Sequence, residues 1–181
     1  MIVKETPLQG CFIIQPDIFE DSRGYFFETF NQEKYKNKIG DHINFVQDNE
    51  SFSAKGVLRG FHYQIGEYAQ TKLVRVINGK VLDVVVDIRE NSPTFGKHFS
   101  IELSADNKTQ LFIPKEFAHA FLVLEDDTIF SYKCDNFYNK SAERGFKYND
   151  KKLNINWNFP EDNIILSPKD ADLPTFESIF G

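Results

Sequence analysis

Short runs of β-branched and aromatic residues, separated by turn residues, fill the middle of this 181-residue chain. Residues 72–77 and 80–88 are two such runs, and Asn78-Gly79 between them is a strong hairpin signal. Further extended segments are predicted at 11–15, 24–30, 44–49, 56–64, 97–103, 110–113, 118–124 and 128–134. Many short strands with frequent turns predict an all-β fold, and we interpret residues 1–181 as a single jelly-roll domain.

Helix signals are few and point to short peripheral helices. Residues 31–39 fit one helix, with Asn31 as the N-cap and Gly40 at the C-terminal stop. Near the end of the chain, Ser167-Pro168 resembles a helix start with a serine cap and proline in the first turn.

The charge balance and the cysteine content exclude several classes of protein. Lys and Arg number 21 against 27 Asp and Glu, a net charge of −6, which argues against general nucleic-acid binding. No apolar stretch reaches the roughly 18 residues of a membrane span, and the first ten residues lack a signal-peptide pattern. Cys11 and Cys134 form no disulfide framework and no zinc pattern, so we expect a cytoplasmic protein.

The densest group of polar residues lies in an otherwise apolar strand at residues 57–64. It contains Arg59, His62 and Gln64, and imidazole is the side chain best suited to proton transfer near neutral pH. A half-exposed strand with one wet face would account for the same residues. Arg59 and His62 lie an odd number of residues apart, so a regular strand would place them on opposite faces. Gly60 between them suggests a bulge that re-aims one side chain.

Four other residues have both a catalytic and a structural interpretation. Lys72 is either a buried cation that stabilises a ligand oxygen or an ordinary lysine at a strand end. His119 and Tyr132 fit a site or simple core packing. Asp170 follows Ser167 by three residues, so it either completes a helix cap or orients a histidine.

Metal and nucleophile chemistry find little support in the sequence. The four histidines, His42, His62, His98 and His119, are dispersed and include no His-x-His pair. No Gly-x-Ser-x-Gly elbow, phosphate loop or Cys-x-x-Cys motif is present. We therefore expect no metal site.

Several motifs in the same order resemble one known family. They are Val57 to Gln64, Thr71-Lys72-Leu73-Val74-Arg75-Val76, Val85-Val86-Asp87-Ile88-Arg89, Ile113-Pro114 to Phe121, Tyr132-Lys133-Cys134 with Tyr138, Ala142-Glu143-Arg144-Gly145 and Leu166-Ser167-Pro168-Lys169-Asp170. Together they resemble the dTDP-4-dehydrorhamnose 3,5-epimerase family from about residue 7 to residue 174. The resemblance implies a cupin-type jelly roll, usually a homodimer. It also implies conversion of dTDP-4-dehydro-6-deoxy-D-glucose into dTDP-4-dehydro-L-rhamnose without cofactor or metal, a step of dTDP-L-rhamnose biosynthesis.

The same resemblance implies a role for particular residues. His62 would be the general base, Asp170 its orienting partner, Lys72 the cation at the enolate oxygen and Tyr132 the proton donor. Tyr138 would stack on thymine, and Arg23 and Arg59 suit the pyrophosphate. The substrate-contact positions of the family match Arg23, Glu28, Gln47, Asn49, Arg59, Lys72, His119, Glu143 and Lys169.

The chain departs from the family pattern at two places, and three other functions stay open. Residues 64–70 differ from the usual proline-rich loop, and Glu116 and Ala120 stand where glycine is common. One alternative is an enzyme that inverts only C3, or a ketoisomerase of a similar sugar. The others are a non-catalytic sugar-nucleotide-binding module and a metal-dependent jelly-roll oxygenase.

Overall fold

A computed structural model describes residues 1–40 and 43–181, so His42 lies outside the described residues. In chain order its strands are β1 (Ile2–Glu5), β2 (Phe12–Gln15), β3 (Phe19–Asp21), β4 (Gly24–Phe26), β5 (Gln47–Ser53), β6 (Leu58–Gln64), β7 (Lys72–Asn78), β8 (Lys80–Asp87), β9 (His98–Ser104), β10 (Gln110–Ile113), β11 (Phe117–Val123), β12 (Thr128–Cys134) and β13 (Glu143–Gly145). The α-helices are α1 (Gln32–Ile39), α2 (Pro168–Ala171) and α3 (Phe176–Phe180). The prediction of an all-β fold with a few short helices is confirmed.

The strands form two antiparallel sheets and a separate hairpin. One sheet has six strands in the order β1-β2-β10-β7-β12-β5, and the other has five in the order β13-β6-β11-β8-β9. Strands β3 and β4 pair only with each other. Sequence neighbours such as β7 and β8 lie in different sheets. The hairpin predicted at Asn78-Gly79 is therefore wrong, because this turn passes the chain from one sheet to the other instead of pairing the two strands.

The main core lies between the inner faces of the two sheets. Val74 and Phe130 from the six-stranded sheet pack with Val85 and Phe121 from the five-stranded sheet, and all four are buried. The other face of β11 is also covered, because the C-terminal segment packs Phe146, Trp157 and Phe176 against Ala118, Ala120 and Leu122. Burial on both faces explains why β11 reads as a continuous apolar run rather than an alternating one.

Helix α1 covers the outer face of the six-stranded sheet. The side chain of Asn31 accepts a hydrogen bond from the backbone N–H of Lys34, and Gly40 ends the helix, as predicted. Tyr35 is the buried residue of this short helix, and its hydroxyl donates to the side-chain oxygen of buried Gln110 on β10. A polar helix is thus fixed to the sheet by one aromatic anchor.

Two predicted strands differ from the observed ones by more than two residues at one end or both, and several others differ by one or two residues. The segment predicted at 24–30 is a strand only to Phe26, because Phe30 turns inward to pack on Tyr35 and Phe45. The segment predicted at 44–49 begins at Gln47 and continues to Ser53. Pairing with β12 along the whole length of β5 extends this polar strand beyond its own propensity.

A bulge in β6 turns Arg59 and His62 to the same face. His119 of β11 pairs with His62 and Phe121 pairs with Arg59, so an extra residue of β6 is accommodated between the two pairs. Gly60 lies at this point with φ of +117°, and a Cβ there would lie 2.5 Å from the carbonyl oxygen of His119. Only glycine fits, and the bulge predicted from the sequence is confirmed.

Candidate active site

A histidine and an aspartate from distant parts of the chain form the most distinctive contact of the site. His62 lies near the end of β6, and its Nε2 is 2.6 Å from Oδ1 of Asp170 in α2. Ser167 caps α2 by accepting a hydrogen bond of 3.1 Å from the backbone N–H of Asp170. The backbone of Asp170 thus serves the helix cap while its carboxylate binds His62, so the two interpretations of this residue hold together.

The electrostatics of this pair keep the aspartate ionised. Burial raises the pKa of Asp170, but the hydrogen bond and charge of His62, with smaller effects of Ser167 and Lys169, bring the pKa below its ordinary value. An ionised carboxylate accepts a hydrogen and cannot donate one, so Nε2 of His62 carries the proton in this contact. In the neutral ring the free lone pair is then on Nδ1, the nitrogen available to act as a base.

His62 borders a cavity of about 220 Å³, which lies between the two sheets at one end of the sandwich. The cavity is lined by polar and aromatic side chains from both sheets and from the loops beside them: Gln47, Asn49, His62, Tyr63, Gln64, Gln70, Lys72, Tyr132, Cys134, Tyr138 and Glu143. Seven of these are predicted site residues. Larger recesses of about 340, 410 and 500 Å³ contain no histidine, and the first of them shares Asn49 and Tyr132 with this cavity.

Strands β7 and β12 bring a cation and a phenol into the cavity. Lys72 pairs with Cys134 across the two strands, and Tyr132 pairs with Val74, so Lys72, Tyr132 and Cys134 share one face. The ammonium of Lys72 is 5.9 Å from the centre of the Tyr132 ring. Among the described residues, Lys72 forms no salt bridge within 4.0 Å, although Cys134, Asp83 and Glu143 act on it at longer range.

Burial alters both groups in directions that suit a proton-transfer site. Desolvation lowers the pKa of the Lys72 amine, because a buried ammonium loses its hydration. Burial also raises the pKa of Tyr132, helped by Cys134 and Glu143 and opposed by Arg59. The phenol therefore stays protonated at neutral pH, and the amine gains from any negative charge that forms beside it.

A second polar chain closes the cavity beside β13. The hydroxyl of Tyr138 donates to Glu143 over 3.0 Å, and the same oxygen of Glu143 lies 2.6 Å from Nζ of Lys169. Burial raises the pKa of Glu143, but the bonds from Lys169 and Tyr138 outweigh it and leave that pKa below its ordinary value. Tyr138, Glu143 and Lys169, three of the predicted ligand contacts, are thus joined by direct contacts.

Arg59 and His119 lie beside the cavity without lining it. The guanidinium of Arg59 donates to the hydroxyl of Ser53 over 3.2 Å. Nε2 of His119 lies 2.8 Å from Oδ2 of the fully buried Asp83. The other oxygen of that carboxylate has no hydrogen-bond partner in the described part of the chain.

Two predicted contact residues lie in the N-terminal segment, away from this cavity. Arg23 is on the β3–β4 hairpin, where its side chain is 88% exposed and binds Asp21 over 2.6 Å. Glu28 follows the same hairpin and forms an ion pair with Lys34 of α1. The fold of one chain therefore gathers the other predicted residues around His62 and leaves Arg23 and Glu28 apart.

Four residues of the cavity wall were not predicted as site residues, namely Tyr63, Gln64, Gln70 and Cys134. Gln64 and Cys134 each lie two positions beyond a predicted catalytic residue on the same strand, His62 and Tyr132. The alternation of a strand was a sufficient signal for both. Gln70 comes from the loop before β7, and no periodic pattern applies to such a position.

Within residues 1–40 and 43–181, no three His, Cys, Asp or Glu side chains gather in an arrangement able to hold a metal ion. Over the same residues, no helix is both long enough and apolar enough to cross a membrane.

Comparison with known proteins identifies the family. The family model described as dTDP-4-dehydrorhamnose 3,5-epimerase matches residues 5–178. A dTDP-4-dehydrorhamnose 3,5-epimerase of Shigella flexneri is 52% identical over 172 residues, which cover 95% of this chain and 94% of the relative.

Solved structures agree with the family model. The crystal structure of the dTDP-4-dehydrorhamnose 3,5-epimerase from Elizabethkingia anophelis has a TM-score of 0.95 and 53% identity, covering 98% of this chain and 97% of that one. A Legionella pneumophila dTDP-6-deoxy-D-glucose-3,5-epimerase in complex with dTDP-4-keto-L-rhamnose has a TM-score of 0.94 and 45% identity, covering 98% and 94%. The prediction of a cupin-type jelly roll is confirmed by these likenesses. The chain belongs to the dTDP-4-dehydrorhamnose 3,5-epimerase family.

Proposed function

We propose that this chain epimerises dTDP-4-dehydro-6-deoxy-D-glucose at C3 and C5 and releases dTDP-4-dehydro-L-rhamnose. Family membership supports the reaction class, and the ligand of the Legionella pneumophila structure supports a dTDP-linked keto sugar. The single observation that carries the mechanism is the contact of His62 with Asp170 at the wall of a cavity shared with Lys72 and Tyr132.

The chemistry of the substrate needs only acid, base and positive charge. The C4 ketone acidifies the hydrogens on C3 and C5, because removing either one gives an enolate with its charge on the C4 oxygen. Returning a proton to the opposite face of the ring inverts that carbon. No electron is gained or lost in either step, so a redox group has no part in this reaction.

In this mechanism His62 is the base. Asp170 holds the proton of its ring on Nε2 and stabilises the imidazolium that forms when Nδ1 takes a proton from carbon. Asp170 fits this task because it remains ionised at neutral pH.

Tyr132 and Lys72 supply the other two functions. The phenol of Tyr132, whose pKa is raised mainly by burial, donates a proton to the enolate from the face opposite His62. The buried ammonium of Lys72 neutralises the C4 oxygen as charge develops there. A charge interaction in a poorly solvated cavity is stronger than in water, so this lysine acts mainly on the transition state.

The remaining cavity residues bind the nucleotide. Tyr138 stacks on the thymine, and the polar side chains of Gln47, Asn49, Glu143 and Lys169 are in reach of the nucleoside and phosphates. Arg59 and His119 extend the same surface beyond the catalytic histidine, where a guanidinium suits the pyrophosphate.

We also propose that the enzyme works as a homodimer in which Arg23 and Glu28 complete the site of the second copy. Both match substrate-contact positions of the family, yet neither lines the cavity of its own chain. The β3–β4 hairpin that carries Arg23 exposes Phe19, Tyr25 and Phe26. Exposed apolar groups of this kind mark association surfaces, and a twofold pair would give each site one hairpin from its partner.

A complementation experiment tests the shared site. Arg23→Ala and His62→Ala each inactivate the enzyme, and mixing the two after mild unfolding and refolding forms hybrid dimers. One site of each hybrid then has an intact Arg23 and an intact His62, so activity returns. No recovery in a mixture that sedimentation shows to be dimeric contradicts a shared site.

A cytoplasmic location is part of the proposal. Cys11 and Cys134 are both buried free thiols, which fits a reducing compartment.

Solvent-deuterium exchange tests the proposed reaction against its alternatives. In D₂O, the substrate should gain one deuteron at C3 and one at C5, seen by NMR, with inversion at both. One deuteron supports an enzyme that inverts a single centre, and nucleotide binding without exchange supports a binding module. Loss of activity with a chelator, restored by iron, supports an oxygenase.

A further inference from the structure

The segment of residues 135–139 crosses from the six-stranded sheet to the five-stranded sheet at the edge of the cavity. It connects β12 to the turn before β13 and carries Tyr138, one of the cavity residues. Tyr138 is half exposed, and the segment has no strand partner of its own over residues 136–139. Something other than sheet pairing must therefore hold the aromatic ring in position.

Two glutamines from opposite sheets accept hydrogen bonds from the last two backbone N–H groups of the segment. The backbone N–H of Tyr138 donates to Oε1 of Gln47 on β5 over 3.0 Å. The backbone N–H of Asn139 donates to Oε1 of Gln64 on β6 over 2.9 Å. The segment is thus attached to both sheets through the backbone N–H groups of two consecutive residues.

A third glutamine holds the start of the segment. Nε2 of Gln70 donates to the backbone carbonyl of Asn136 over 2.8 Å, and Nδ2 of Asn136 donates back to the carbonyl of Glu67 over 2.7 Å. These two bonds join the segment to residues 64–70, the loop that departs from the usual proline-rich pattern.

The burial of Gln64 shows that its amide serves the segment rather than the core. Its side chain is only 6% exposed, and its Nε2 has no hydrogen-bond partner in the described residues. An unpaired buried N–H group is unfavourable, so an apolar side chain of similar size would suit the core better. Within the part of the chain that the structure describes, the bond to Asn139 is the one interaction that requires an amide at this position.

We propose that Gln47, Gln64 and Gln70 are positioning residues that hold Tyr138 as the stacking surface for the nucleotide base. This inference rests on the proposed function, in which the ligand carries thymine. The three glutamines act on binding of the base and leave the chemistry unchanged, because His62, Lys72 and Tyr132 are held by their own strands.

The test uses Gln64→Met and Gln70→Met, which keep side-chain length and remove the bonds to the segment. Each should raise KM for the dTDP sugar and Kd for dTDP by about 3- to 10-fold, the effect of one lost neutral hydrogen bond, with kcat within about 2-fold. Binding of inorganic pyrophosphate, which has no base, should not change. Gln9→Met, at an exposed position outside the cavity, is the matched control.

A double substitution separates positioning from general damage. In a Tyr138→Ala background the ring is absent, so adding Gln64→Met or Gln70→Met should not weaken dTDP binding further. Additive losses, unchanged dTDP affinity in both single variants, or a loss of kcat at constant KM overturn the proposal. Gln70 is in a half-exposed loop, so its variant tests the idea even where Gln64→Met folds poorly. dTDP binding is measured without turnover, so these outcomes stay distinguishable from a failure of the proposed reaction.

Discussion

Nε2 of His62 and Oδ1 of Asp170 lie 2.6 Å apart although 108 residues separate them in the chain. The bond joins the C-terminal end of β6 to a four-residue helix. A helix this short would not be stable in isolation. Proline at its first position and the Ser167 cap begin this helix, and the contact with His62 anchors it to the sheet. The C-terminal region therefore completes the proposed catalytic pair as well as covering the five-stranded sheet.

Replacing the base should stop proton exchange and spare binding. In His62→Ala, exchange at C3 and C5 should fall at least about 100-fold, the usual contribution of a positioned general base. NMR in D₂O measures exchange, and calorimetry with dTDP measures binding, which should stay within about 3-fold. Substantial residual exchange at either carbon would remove His62 from this role.

Asp170→Asn should lower activity and change the acid dependence of stability. We expect kcat to fall about 100- to 10,000-fold, because an amide neither fixes the ring proton nor stabilises the imidazolium. The pKa of Asp170 is lower in the folded chain than its ordinary value of 3.8, so its ionisation stabilises the fold above that pH. This stabilisation is lost as the pH falls through the folded pKa.

Urea unfolding of both proteins between neutral and acidic pH measures that effect. The wild type should lose more stability than Asp170→Asn below about pH 4, so their difference narrows on acidification. A difference that is constant with pH would mean that the carboxylate charge contributes nothing to folding.

Removing the Tyr132 hydroxyl should uncouple exchange from inversion. In Tyr132→Phe, His62 still takes a proton and returns a deuteron to the same face, so exchange with retention should persist. Inversion should slow by about 100-fold or more, because the opposite face has lost its acid. NMR separates the two rates, and inversion at the wild-type rate would mean that another group is the acid.

Lys72→Met should lower kcat and raise the melting temperature. We expect kcat to fall about 100-fold, since the enolate oxygen loses its cation. The melting temperature at pH 7 should rise, because the pKa of Lys72 is lowered by burial and the charged form is unfavourable in the empty cavity. Raising the pH above the pKa of Lys72 in the folded wild type removes this penalty, because the amine becomes neutral. The difference in melting temperature between the two proteins should therefore narrow at alkaline pH. A lower melting temperature for the variant would contradict this assignment of the penalty.

The bulge at Gly60 should tolerate no side chain. Gly60→Ala forces a Cβ to within 2.5 Å of the His119 carbonyl, and we expect a loss of at least about 2 kcal/mol in the free energy of unfolding. Gly24→Ala is a matched control, because Gly24 has a similar φ of +127° with nothing within 4 Å of the added Cβ. Equal losses in the two variants would attribute the effect to backbone strain alone.

Local sequence determined the elements whose causes are local. The Asn31 cap and Gly40 stop define α1, and Ser167-Pro168 begins α2. Asn78-Gly79 marks the turn between β7 and β8, but which strands pair was not local, because the two strands lie in different sheets. The family motifs, which lie along nearly the whole chain, indicated the candidate site residues. These signals depend on a few adjacent residues, so they can be read without a structure.

The tertiary structure decided what depends on contacts between distant residues. The chain alone left Asp170 between a helix cap and a partner for His62, and the fold shows that its backbone and carboxylate serve one each. Strand β5 takes its length from pairing with β12, and the three glutamines around Tyr138 come from separate elements. Arg23 and Glu28 match the family motif as well as His62 does, yet packing keeps them apart from the cavity. The number of residues between two elements does not determine how far apart they lie in space, because that distance is set only when the two sheets pack.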